Sequence, residues 1–228
     1  GGRDAGKLSA LAGFLPAAGH QATAAPGAIA APAGARRLID RVRRTASRLA
    51  VLVNNAYAPS SGTLESATSE DFLDAYRVSV VASFTLIQAA LPLLRRAGAD
   101  NPCGASVVNV SSMYGRVSPD PAVYAKTGQK NNPPYYGAAK AGLAQLSRYA
   151  ACHLAKDGIR VNTLSPGPFP AKTALKNGRF ARALKAKVPM GRLGRAEELR
   201  GPLLFLASDA SSYVTGAELA VDGGWTAW

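Results

Sequence analysis

The stretch YYGAAK, residues 135–140, sets Tyr136 four positions before Lys140. Residues four apart on a helix share a face, so the phenol and the ammonium can meet. At roughly 4 Å and an effective dielectric of about 20, a fixed positive charge favours phenolate by about 4 kcal/mol. That would draw a tyrosine pKa from about 10 towards about 7, before desolvation acts in the opposite sense. A tyrosine so placed exchanges a proton at neutral pH, as general acid and base chemistry requires. A serine nearby could hold the oxygen of a substrate by hydrogen bonding. Spacing alone leaves the other reading open, that of two ordinary residues on a helix face.

Chemistry of this kind needs a frame that brings distant segments together. AVLVNN (50–55), ASVVNV (105–110) and IRVNTLS (159–165) are β-branched and nearly continuous in apolar content, as buried parallel strands are. Residues 69–98 open with acids and close with arginines and Gly98, matching the two ends of a helix. Residues 137–158 form a second helical pattern ending in Lys156 and Gly158. Strands alternating with helices predict an α/β, Rossmann-like doubly wound parallel sheet. Ligands of such sheets bind beyond the carboxyl ends of the strands. Those ends here carry Asn54 and Asn55, then Ser111 and Ser112, then Ser165, Pro166 and Gly167, so three strand ends face one crevice with Tyr136 just downstream.

The 228 residues, 47% hydrophobic and 18% charged, fit a single domain spanning 1–228. No uninterrupted apolar run approaches the roughly 18 residues that cross a bilayer, and no secretory pattern opens the chain, so no membrane and a cytoplasmic location are expected. Cys103 and Cys152 stand apart, as do His20 and His153, which argues against a metal site or a redox motif. The net charge of +13 raises the question of nucleic acid. Its clusters at 36–44, 94–96 and 176–187 hold few aromatics for base stacking, and an anionic small ligand explains part of the charge more simply.

LVNNAY (52–57), VVNVSSMYG (107–115), YGAAKAG (136–142), IRVNTLSPGPFP (159–170) and the ending at 189–228 follow one another in an order that resembles the short-chain dehydrogenase/reductase family. The resemblance implies an oxidoreductase that interconverts a secondary alcohol and a ketone with NADP(H), or with NAD(H). Tyr136 would give or take the carbinol proton, Lys140 would tune it and bind the nicotinamide ribose, and Ser112 would orient the carbonyl. Asn55 and Ala56 would lie along the adenosine side, with Pro166, Gly167 and Phe169 beside the nicotinamide and Thr173 a weaker candidate. Arg3 suits an adenosine phosphate. Ser79 falls where many relatives carry an asparagine that holds a relay water. The resemblance also implies a homotetramer.

Departures from the family pattern carry expectations of their own. The glycine-rich turn between the first strand and first helix, which receives the pyrophosphate, is not found, and the first strand-helix-strand unit is expected to be missing. That would expose the edge of LAVLVNN (49–55), weaken dinucleotide binding, and make the chain part of a longer enzyme. Ala28 and Ala50 replace acids common in relatives. Between Ser112 and Tyr136 lies a long, proline-rich insertion, 118–135, in which Tyr124, Lys126 and Asn131, with Tyr114 before it, offer hydrogen bonds to a polyhydroxylated or acidic substrate. The pairing of SSMYG with SPGPFP is closer to the branch resembling gluconate 5-dehydrogenase than to 3-oxoacyl-carrier-protein reductases, so a sugar acid or polyol is the expected substrate. The alternatives are a catalytically defective relative that acts as a binding protein, and an activity like that of the 3-oxoacyl-carrier-protein reductases.

Overall fold

The computed structural model describes residues 4–14, 21–57, 61–101, 103–128 and 130–228. Four parallel strands, β1 (Val51–Asn54), β2 (Ala105–Val110), β3 (Ile159–Pro166) and β4 (Glu218–Val221), stand side by side in that order. Register pairs Val53 with Val108, Val107 with Val161, and Ser165 with Ala220. Three of these strands match the sequence expectation. β4, within AELAVDGG, was not foreseen as a strand, because four residues carry little periodicity of their own.

The helices among the described residues are α1 (Ala5–Phe14), α2 (Pro32–Thr45), α3 (Ser69–Tyr76), α4 (Ala82–Asp100), α5 (Pro121–Ala125), α6 (Pro134–Leu154), α7 (Lys172–Leu175), α8 (Gly178–Lys187) and α9 (Arg200–Ala207). They wrap both faces of the sheet. Val107 and Val161 turn into one core with Leu86, Ala90 and Leu94 of α4 and Ala151 and Leu154 of α6. One residue along each strand the side chains face the other way, and Val108 and Leu164 meet Leu206 of α9. The doubly wound reading therefore holds.

The helix expected over 69–98 is interrupted. A Thr68–Asp71 capping box starts α3, and a π-helical turn, Arg77–Val81, joins it to α4. The continuous segment Ser69–Asp100, though polar residues interrupt it, is long and apolar enough on average to cross a bilayer by length and composition. Half of its most apolar window is buried inside the protein, where Ala82, Leu86, Ala90, Leu93 and Leu94 serve as core.

β1 borders the sheet, as expected. Leu52 packs against the core of α2 and α4, whereas Val51 and Val53, on the other face, remain 37% and 39% exposed. Among the described residues no strand precedes β1.

Candidate active site

Two hydrogen bonds lock the carboxyl end of β2 to α6. The Ser111 hydroxyl donates to the Lys140 carbonyl at 2.8 Å, and the Lys140 Nζ donates to the Val110 carbonyl at 2.7 Å. Gly137 allows the close approach that follows, since a Cβ there would lie 2.6 Å from the Tyr114 carbonyl oxygen. After Ser112 the chain makes a 3-10 turn, Met113–Gly115, and the Ser112 hydroxyl accepts from the Tyr114 amide at 3.2 Å. These contacts bring Ser112 to the same cavity wall as Tyr136, in the first turn of α6, and the serine hydroxyl acts on the phenol to lower its pKa.

Electrostatics differ from the simple expectation. Burial pushes the Tyr136 hydroxyl above its ordinary pKa, a larger effect than the lowering by the Ser112 hydroxyl. The Lys140 ammonium, over the ring at 5.8 Å from the centroid and tied to Val110, does not offset that burial. With only 3% of its surface exposed, Lys140 is itself pushed down to about 8 by desolvation. In this arrangement Tyr136 is a held proton rather than a phenolate.

Tyr136 lines two cavities. One, of about 180 Å³, also touches Ser112, Tyr114, Tyr124, Asn132, Gly167 and Phe169. The other, of about 130 Å³, lies between Tyr136 and the π-helical turn, with Ser79, Tyr57 and Asp71 on its wall. The wider turn places Ser79 on the site side of the helix, where it is buried. Pro166 ends β3 in register with Val221, outside both linings. Asn55 and Ala56 are exposed beyond β1, and the next residue, Tyr57, sets its ring edge-on to Tyr136 at 6.3 Å. Thr173 is exposed on α7. Arg3 lies outside the described residues.

The insertion corrects two expectations. Lys126 is exposed and Asn131 is absent from the cavity lining, which takes Asn132 instead. Much of the segment is ordered by packing: Asp120 caps α5 through the Ala122 amide at 2.9 Å, and Val123 and Tyr124 enter a core with Phe180, Leu184 and Trp225. Phe180 and Leu184 went unrecognised inside the basic run 176–187, although their four-residue spacing on a helix was the available signal.

The donor set suits the hydroxylated ribose end of a nicotinamide nucleotide. Tyr136 supplies one hydroxyl, and of the three N–H donors of Lys140 one is taken by Val110. Among the described residues no glycine-rich turn joins a strand to a helix N-terminus, so only that end of the nucleotide finds its partners here.

A doubly wound sheet with serine, tyrosine and lysine converging beyond its strand ends defines a Rossmann-like α/β protein with proton-transfer groups. A family model described as enoyl-(acyl carrier protein) reductase matches residues 5–226. The chain is 37% identical over 227 residues to the rhamnolipids biosynthesis 3-oxoacyl-[acyl-carrier-protein] reductase of Pseudomonas aeruginosa, covering 98% of this chain and 84% of that one. It belongs to the short-chain dehydrogenase/reductase family of oxidoreductases. Among solved structures, the Pseudomonas aeruginosa RhlG/NADP active-site complex superposes with a TM-score of 0.86 at 36% identity, covering 98% of this chain and 84% of that chain. A gluconate 5-dehydrogenase from Burkholderia cenocepacia in complex with NADP and tartrate gives 0.85 at 28% identity, covering 99% and 84%.

Proposed function

We propose that the chain is an NADP(H)-preferring oxidoreductase that interconverts a secondary alcohol and a ketone. The observation that carries this reading is the convergence of Ser112 and Tyr136 on the wall of one cavity, with the buried Lys140 ammonium against the tyrosine ring. Ser112 holds the carbonyl oxygen. Tyr136, kept protonated by burial, donates its proton to that oxygen as it becomes an alkoxide. Lys140 keeps a positive charge next to the phenolate that forms, and its free N–H groups hold ribose hydroxyls. The nicotinamide, when bound, supplies the hydride. NADP enters the reading because two similar structures are complexes with NADP.

The same family reading makes the chain a cytoplasmic homotetramer. An apolar cleft between α4 and α6, flanked by the exposed rings of Phe84 and Tyr149, is where copies would meet. The open edge of β1 favours the second reading, a relative that binds partners without turnover. Loss of NADPH absorbance in the presence of a panel of ketones decides between them. Turnover that falls by about 10²–10⁴-fold in Tyr136→Phe supports the enzyme. No turnover, or turnover unchanged in that variant, removes Tyr136 from any such role.

A further inference from the structure

The cavity beyond Ser112 and Tyr136 has a polar wall that the proton chemistry does not use. The Tyr114 and Tyr124 hydroxyls are 2.8 Å apart, and both side chains are buried. One of their two protons is spent on the bond between them, which leaves one O–H donor and spare lone pairs. Asn132 adds a carboxamide whose Oδ1 is buried without a hydrogen-bond partner. An unpaired buried acceptor is costly, so a donor brought to this wall of the cavity gains by meeting it.

Charge is the second observation. Among the described residues that line this cavity there is no lysine, arginine or histidine. Lys187, on the adjoining α8, is occupied by Asp120 at 2.6 Å. Much of the remaining lining is apolar, from Met113, Phe180 and Leu184. A carboxylate entering would lose water without gaining a cation, and because it only accepts hydrogen bonds it could use the wall's O–H and amide N–H donors but would leave the Asn132 Oδ1 unmet. A hydroxyl both donates and accepts. At the roughly 30 Å³ that a water takes in the liquid, about 180 Å³ holds about six such groups, the scale of one substituted ring.

We propose that this cavity selects a small uncharged ketone bearing a hydroxyl group remote from its carbonyl, with Asn132 and the Tyr114–Tyr124 pair as specificity-determining residues, and that it disfavours sugar acids and other carboxylates. The proposal rests on the carbonyl reduction read at Ser112 and Tyr136 and narrows its substrate class.

Three probes of common shape test it: cyclohexanone, 4-hydroxycyclohexanone and 4-oxocyclohexanecarboxylate. Each is reduced with NADPH by the full chain, and the binding of each is read separately by saturation-transfer NMR without cofactor. The hydroxyketone should exceed cyclohexanone by about tenfold in kcat/KM and exceed the carboxylate by more. Asn132→Ala and Tyr124→Phe should each cut the hydroxyl preference by about fivefold or more, through KM rather than kcat. Asn132→Asp, which keeps the side-chain shape, should turn the site further against the carboxylate. A carboxylate that matches or beats the hydroxyketone overturns the proposal, and so does a preference unchanged in all three variants. If none of the probes is turned over, a binding order that favours the hydroxyketone upholds the substrate class and removes only the redox reading. Equal binding, or none, removes the substrate class as well.

Discussion

The Lys140 Nζ donates to the Val110 carbonyl at 2.7 Å and lies 5.8 Å from the centre of the Tyr136 ring. The lysine is thus anchored to the end of β2, with its charge against the face of the tyrosine. Its desolvation is what holds its pKa near 8.

That value gives a pH dependence of activity. Tyr136 stays protonated through neutral pH, because burial raises its pKa above the usual 10. The charge that steadies its phenolate disappears as Lys140 deprotonates. Ketone reduction should therefore fall as pH rises through about 8, measured as kcat/KM against pH, unless bound cofactor raises the lysine's pKa and moves the limb upward.

The same shift acts on stability. Between about 8 and the ordinary lysine value of 10.5, the unfolded chain holds a proton that folded Lys140 has lost, so stability gains with pH across that window and carries its full penalty below it. Lys140→Met should melt a few degrees higher than the parent at pH 7 while losing turnover. Its advantage should shrink from about pH 8 to 10.5, read as the difference in Tm between the two proteins at each pH. A constant difference would show that burial of the charge is not the cause.

The Ser112 hydroxyl accepts from the Tyr114 amide and shares the cavity wall with Tyr136. Ser112→Ala should lower turnover by roughly 10²-fold and raise the Tyr136 pKa further, because the serine hydroxyl that lowers it is gone. An ultraviolet titration of the phenol, compared with Tyr136→Phe, isolates that shift.

Arg160, at the amino end of β3 and so away from the site, donates to the carbonyls of Cys103, Leu206 and Ser208 and to the Ser211 hydroxyl. Arg160→Leu removes these charge-assisted hydrogen bonds, although the Leu206 and Ser208 carbonyls keep other donors, and a loss of about 3 kcal/mol is expected. On a chain of this size that is a fall in Tm of roughly 6–12 °C, with turnover retained at low temperature.

At the open edge, Val51 and Val53 present more than a third of their surface on an unpaired strand. A charge there discourages strand-to-strand association. Val53→Lys should reduce concentration-dependent aggregation, followed by light scattering, with little effect on the α6 end of the site.

Much was legible in the chain itself. Continuous β-branched runs marked three of the four strands and their parallel sense, since β2 and β3, buried on both faces, leave no polar alternation. Four-residue spacing put Tyr136 and Lys140 on one helix face, and the serines ending β2 pointed to their partner. Tertiary structure alone decided which atoms meet. The Val110 carbonyl takes the lysine, so desolvation rather than the lysine's charge governs Tyr136. Asn132 rather than Asn131 reaches the cavity, because the fold of the insertion around Tyr124 sets which neighbour turns inward. Spacing along a sequence specifies a face; burial and hydrogen-bond competition, which depend on every packed neighbour, specify the contact.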